Sequence, residues 1–495
     1  MTFLKFLLHV TSGADLVRFV VRVVRCAIAA VVMCGRLLIL PCIVLLNLHL
    51  CCAHDCFAQL HGSVGDVDAD VDQVDELNME ILPRLRSILD MEYFHYIQMN
   101  LERSCPFFKD DLRCVLRDCR VDDCPVDEVP LGLRTDSVPP GLPSHKYSKI
   151  MNTGKLDPSG EIDCQLSNLD NTLSDESRSL LHNWTKHDEM NETLFCELDD
   201  ERTGNMIYVD LLKNPERYTG YKGEASNRIW YMIYAENCFN EEGQGYASLG
   251  PNSDLWQCLE KRAFYRMLSG LHTSITIHLS YRYPRNLIMC TQNCWATNSL
   301  TEAEWAPNVR EFKNRFHPDS IKEGLNRLRN LYFTYLVELR ALAKAAPYLK
   351  RQAFYTGDES ADRNARLAVH NLLNIIQSKG NMFDERLLFA GNSQETKVLK
   401  QRFREHFRNI SRIMDCVGCK KCRLWGKIQT QGMGTALKIL FSEPDQRIIG
   451  PTRDPAYYPG FQLRRQEIVA LFNAFGRLST SIGALRDFCH LMENP

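Results

Sequence analysis

The sequence predicts a mainly α-helical, single-domain fold: a helical-bundle core with long irregular loops, stapled by disulfides. Apolar residues recur at three- and four-residue spacing over long stretches, strand-like alternation is scarce, and 20 cysteines stand in 495 residues. The clearest helix runs through Leu325, Leu328, Leu331, Tyr335, Leu339, Leu342 and Ala346, and Pro347 should stop it. Similar faces occur within Asp254–Ser280, Ala361–Ser378, Glu395–Met414 and Gln466–Met492. No internal repeat is found.

The chain carries 59 basic and 61 acidic residues, a net charge of -2, which argues against nucleic-acid binding. Its 45% hydrophobic and 24% charged residues match a soluble globular protein. Arg18, Arg22 and Arg25 precede an apolar run from Cys26 to Leu50, so residues 1–55 read as a signal peptide or signal anchor. No second segment of that kind is seen downstream, which places the remainder on the lumenal or secreted side, where disulfides persist. Sequons at Asn183, Asn191 and Asn409 are glycosylation candidates that fit this location.

Asp66–Glu76 alternates acids with valine, so residues 56–76 read as a solvated acidic linker and residues 77–495 as the folded domain. From Val129 to Gly160, prolines, glycines and serines cluster in a long surface segment.

Cys416, Cys419 and Cys422 form C-x-x-C-x-x-C directly after a predicted helix. An iron-sulfur site of bacterial ferredoxin type would need a cysteine where Gly426 stands. Zinc would need a fourth ligand from elsewhere. A redox disulfide suits the C-x-x-C spacing, and Lys420, Lys421 and Arg423 favour a thiolate. A purely structural disulfide is the plainer alternative. Upstream, Cys105, Cys114, Cys119 and Cys124 lie among charged residues beside the Pro/Gly segment, so Cys114 and Cys119 are expected on an exposed, movable loop suited to thiol exchange.

A dithiol that makes disulfides must pass two electrons to a cofactor, since no side chain can hold them. Gly432-Met433-Gly434 lacks a third glycine, with Leu437 in its place, and follows no strand, so it is no dinucleotide fingerprint. A flavin inside a helical bundle would instead need aromatic rings and arginines against its diphosphate. Arg217, Trp230, His272, Arg315 and Arg327 are the candidates.

Seven segments carry a resemblance. They are CPFFKDDLRCVLRDC (105–119), NWTKHDEMNETLFCELDD (183–200), YVDLLKNPERYTGYKG (208–223), IWYMIYAENCF (229–239), CLEKRAFYRMLSGLHTSI (258–275), RLRNLYFTYLVELRALAK (327–344) and CVGCKKCRLWGKIQTQGMGTALKILFSE (416–443). Over roughly Asp75 to Met492 the chain resembles the endoplasmic reticulum oxidoreductins, FAD-dependent thiol oxidases that re-oxidise protein disulfide isomerase.

The resemblance implies that Cys419 and Cys422 are the flavin-facing pair and that Cys114 and Cys119 are the shuttle pair that takes electrons from the isomerase. It implies that Arg217, Thr219, Trp230, Ser269, His272, Arg315 and Arg327 contact FAD, with dioxygen the final acceptor and hydrogen peroxide the product. It pairs Cys105 with Cys416 and Cys238 with Cys258, and makes Cys124 and Cys164 candidates for capturing shuttle cysteines and switching the enzyme off. Cys290 and Cys294 have no family counterpart. The C-terminal HLMENP lacks a retrieval signal, so lumenal retention is expected from the N-terminal segment or a partner. No metal is implied. The alternative to an enzyme is a disulfide-rich or zinc-stabilised secretory-pathway binding protein.

Overall fold

The computed structural model describes residues 60, 62–65, 67–107, 119–134, 195–196, 205–216, 223–235, 259–284, 305–379, 382–385, 394–442 and 460–493. All of them belong to one contact unit, 59–495.

The chain enters the fold through α1 (Val71–Leu89). A one-turn helix, Glu92–His95, leads into β1 (Tyr96–Asn100), which pairs antiparallel with β2 (Met206–Asp210) in a two-stranded ribbon. The remaining helices are α2 (Gly223–Ala235), α3 (Leu259–Tyr281), α4 (Val309–Phe316), α5 (Gly324–Leu349), α6 (Glu359–Lys379), α7 (Gln394–Ile413), α8 (Lys420–Phe441) and α9 (Arg465–Glu493). The core is the packing of α3, α5, α8 and α9, with α1 against α9 and α6 against α1 and α5. α5 is buried on nearly every side, as expected of a helix whose apolar residues spill around its axis.

Three expectations need correction. The acidic stretch is not wholly a linker: Asp70 caps α1 by accepting from the Asp72 N–H at 3.0 Å, and Val67, Val71 and Val74 are buried. Val71 and Val74 with Leu77, Ile81, Leu85 and Ile88 follow a three-to-four spacing, a helical face that the shorter acid-valine alternation obscures. Asp70 and Asp72 then sit where the helix dipole favours negative charge.

Pro347 does not stop α5, which runs to Leu349. A proline in the last turn removes one N–H, and the Lys350 N–H closes the end on the Ala346 and Tyr348 carbonyls.

α9 is itself long and apolar enough to cross a membrane, contrary to the expectation of no second such segment. Its most apolar window is 89% buried inside the protein, which makes it a core helix.

Two glycines set how closely the core helices approach. A Cβ on Gly270 would collide with the Asn330 carbonyl and Thr334 Oγ1 and lie 2.7 Å from Thr334 Cβ. A Cβ on Gly432 would collide with Ala474 Cβ and lie 2.5 Å from the Ala470 carbonyl. Gly432 therefore serves α8–α9 packing in mid-helix. Gly432→Val should separate α8 from α9 and cost about 1–3 kcal/mol or more, read as a lower denaturant midpoint.

Candidate active site

A 3-10 turn, Met414–Cys416, ends α7, and α8 begins at Lys420, so the three clustered cysteines occupy the corner between two helices. Cys416 is disulfide-bonded to Cys105, 311 residues away in the chain, with Cα–Cα 4.4 Å. That pairing agrees with the resemblance. It also consumes the Cys416 thiolate that a zinc or iron-sulfur reading of the triple requires.

Asp415 pins the same corner. Its carboxylate is 1% exposed and accepts from Arg412 Nη1 at 2.8 Å and Lys427 Nζ at 3.1 Å, with Arg103 Nε 3.8 Å away. Arg423 reaches back from α8 to the carbonyls of Val417, Leu101 and Arg103.

Cys419 is the N-cap of α8, and its Sγ accepts from the Cys422 N–H at 3.4 Å. Burial pushes its thiol up. The Cys422 thiol, the N–H groups of Cys422 and Lys421, and the Lys421 charge outweigh that and hold Cys419 below the ordinary thiol range. A helix N-terminus with basic neighbours is the usual setting of a stabilised thiolate.

Cys119, Cys419 and Cys422 form one buried cluster, with Val417 packed against it. Cys419 and Cys422 are not disulfide-bonded, whereas Cys119 is. The expectation of an exposed Cys119 is therefore corrected: it is 2% exposed, packed against the other sulfurs. Charged neighbours in sequence suggested exposure, but sulfur itself is apolar and buries readily.

Cys124 is a buried free thiol held by its N–H to the Tyr208 carbonyl at 2.7 Å. Burial, then the Glu128 charge, raises its pKa.

On α2 and α3, Trp230 and His272 stack face to face, centroids 3.6 Å apart and planes 11° off parallel. Tyr234 Oη is hydrogen-bonded to His272 Nδ1 at 3.0 Å. The sequence reading missed Tyr234, although it stands four residues after Trp230 and hence on the same helical face. Burial, then the Arg327 and Arg315 charges, lowers the His272 pKa to about 3. Those two arginines come from α5 and α4, so the structure brings four of the expected residues together. Arg315 also grips Glu311 Oε1 through Nε at 3.0 Å and Nη2 at 2.7 Å. Ser269, 3% exposed, accepts from Asn330 Nδ2 at 3.0 Å, which leaves its own O–H to donate.

The His272 shift sets a pH dependence. Between about 3 and 6.5 the unfolded chain binds a proton that the folded one refuses, so stability falls as pH drops through that window and is unaffected above it. The thermal midpoint should decline there less steeply in His272→Phe than in the unaltered chain.

Asn409 lies within α7 and is partly buried, a helical rather than a loop setting for a sequon. Cys114, Cys164, Asn183, Asn191, Arg217, Thr219, Cys238, Cys258, Cys290, Cys294 and residues 1–55 lie outside the described residues.

A family profile described as Endoplasmic Reticulum Oxidoreductin 1 (ERO1) matches residues 80–485. The chain belongs to this family. It is 46% identical over 446 residues to the Ero1-like protein of Drosophila melanogaster, covering 88% of this chain and 90% of the relative. It is 45% identical over 463 residues to ERO1-like protein alpha of Homo sapiens, covering 89% and 93%. Among solved structures, a double cysteine-to-alanine variant of S. cerevisiae Ero1p superposes with TM-score 0.52 at 29% identity, covering 85% of this chain and 97% of that one. A second Ero1p structure, described as the source of disulfide bonds for oxidative protein folding in the cell, gives TM-score 0.53 at 30% identity, with the same coverage of 85% and 97%.

As a member of the oxidoreductin family, the protein is an FAD-dependent thiol oxidase of the endoplasmic reticulum lumen, with protein disulfide isomerase and dioxygen as its partners. Its residues fit the dinucleotide. The Trp230–His272 pair offers planar faces to stack on, the neutral imidazole tolerates the arginines a diphosphate needs, and the Ser269 hydroxyl retains a donor.

Proposed function

We propose that Cys419 and Cys422 are the flavin-facing pair of this oxidase and that Cys114 and Cys119 shuttle electrons to them from the isomerase. The observation that carries this reading is the buried cluster of Cys119 with Cys419 and Cys422. Disulfide exchange needs three sulfurs in line, and only a docked shuttle cysteine meets that demand.

In the relay, an isomerase thiolate attacks Cys114 of the shuttle disulfide and releases the Cys119 thiolate. A second isomerase thiolate then resolves that bond, leaving the isomerase oxidised and Cys114 and Cys119 reduced. The Cys119 thiolate attacks Cys419 Sγ of the oxidised Cys419–Cys422 pair and releases the Cys422 thiolate. Attack of the Cys114 thiolate on Cys119 Sγ re-forms the shuttle disulfide and expels Cys419, whose lowered pKa makes it the better leaving group. Two electrons and one disulfide have then changed places, and the reduced pair, 3% and 2% exposed, lies out of reach of a protein-sized dithiol. Bound FAD supplies the two-electron sink that re-oxidises this pair and passes the electrons to dioxygen, with hydrogen peroxide as product.

In Cys114→Ser/Cys422→Ser protein, where neither pair can close on itself, the two-electron thiol oxidant diamide should join Cys119 to Cys419 in a disulfide, found by non-reducing peptide mapping. Exclusive bonding of Cys119 to other cysteines would overturn the assignment.

Trp230, His272, Ser269, Arg315 and Arg327, with Arg217 and Thr219, are the proposed FAD-contacting set. Trp230→Ala should weaken FAD retention about 10- to 100-fold, measured as flavin released per chain on dialysis. Cys238–Cys258 is the second structural disulfide in this reading. Cys124 and Cys164 are its regulatory thiols, and the separate burial of Cys124 in the docked arrangement is consistent with the active state. Residues 1–55 provide the signal or anchor, and the burial of α9 supports seeking membrane attachment there.

A further inference from the structure

We propose that Gln429 is a flavin-binding residue whose buried carboxamide hydrogen-bonds the imide edge of the isoalloxazine ring. The inference rests on the assignment of Cys422 to the flavin-facing position.

Gln429 lies in α8, is 4% exposed, and neither its Oε1 nor its Nε2 has a hydrogen-bond partner among the described residues. A buried amide with donor and acceptor both unmet is costly, and such groups call for an explanation.

Its direction follows from its neighbours on the helix. Gly426 faces Met414 Sδ, 2.8 Å from where a Cβ would stand, while Gly432 faces Ala470 and Ala474 of α9. At about 100° per residue Gln429 points between those directions, within about 20° of Cys422, which precedes it by seven residues. The Cys422–Gln429 stripe therefore faces the groove between Met414 and α9, on the same side of α8 as the flavin-facing sulfur. Two turns span about 10 Å along the axis, and helical side chains lean toward the N-terminus, so the amide leans back toward Cys422.

The pyrimidine edge of an isoalloxazine presents a carbonyl, an N–H and a second carbonyl in a row. A carboxamide offers an acceptor and a donor side by side, complementary to that edge, and adds no charge beside the sulfur pair.

The test compares FAD with N3-methyl-FAD, which lacks the imide N–H, by the rate of flavin release from purified holoenzyme. Unaltered protein should release N3-methyl-FAD at least tenfold faster than FAD. Gln429→Met, close in shape but without the amide, should release FAD at least tenfold faster than unaltered protein and show no preference between the two flavins. Equal release of both flavins from unaltered protein would overturn the inference, and needs no variant to fold. A preference that persists in Gln429→Met would overturn it as well. Unaltered protein purified without any flavin would instead remove the site reading on which the inference rests.

Discussion

Cys422→Ser should reduce turnover to the uncatalysed background with both reduced isomerase and small dithiols, a loss of more than about a thousandfold, measured as oxygen consumption. Cys422 is 2% exposed and lies in the sulfur cluster, and with serine in its place a dithiol that reaches Cys419 finds no disulfide to reduce. Cys114→Ser and Cys119→Ser should behave differently. Each should abolish oxidation of the isomerase while leaving oxidation of small dithiols largely intact, because a small dithiol can enter where a protein cannot. Equal loss of both activities in Cys114→Ser would contradict the shuttle role.

Asp415→Ala should be the most damaging change at a site that does no chemistry. The carboxylate is 1% exposed and is held by Arg412 and Lys427, themselves 10% and 9% exposed. Removing it leaves two buried cations without their counter-charge, at a cost of about 3–5 kcal/mol. The adjacent Cys105–Cys416 disulfide keeps the corner tethered. The account therefore expects a large fall in the denaturant midpoint, with the disulfide still present in non-reducing peptide maps. An unchanged midpoint would show that Asp415 is not the pin of this corner.

How much of this was legible in the sequence depends on the range over which each signal acts. The long helices were readable because burial imprints a three-to-four spacing on residues close in the chain, as in Leu328, Leu331 and Tyr335 of α5. The start of helix α1 is hidden because alternating acids and valines carry a shorter period that conceals Val71 and Val74. The C-x-x-C pair announced itself by spacing, but its thiol chemistry comes from the N-cap of α8 and from contacts with Cys422 and Lys421. The docking of Cys119 had no local signal: its partners lie some three hundred residues away, and its charged neighbours pointed toward solvent. Tyr234 and Gln429 were both legible in retrospect, one four residues from Trp230 and the other seven from Cys422. The spacing gives their face, and only the fold supplies what that face meets.

The central claim is that electrons leave the Cys419–Cys422 thiols for bound FAD. Anaerobic mixing of the purified yellow protein with excess reduced isomerase, followed by flavin absorbance, tests it most directly. The account predicts rapid bleaching in unaltered protein and none in Cys422→Ser, with colour returning when dioxygen is admitted. Bleaching at the same rate in Cys422→Ser, or unaltered protein that carries no flavin, would contradict it.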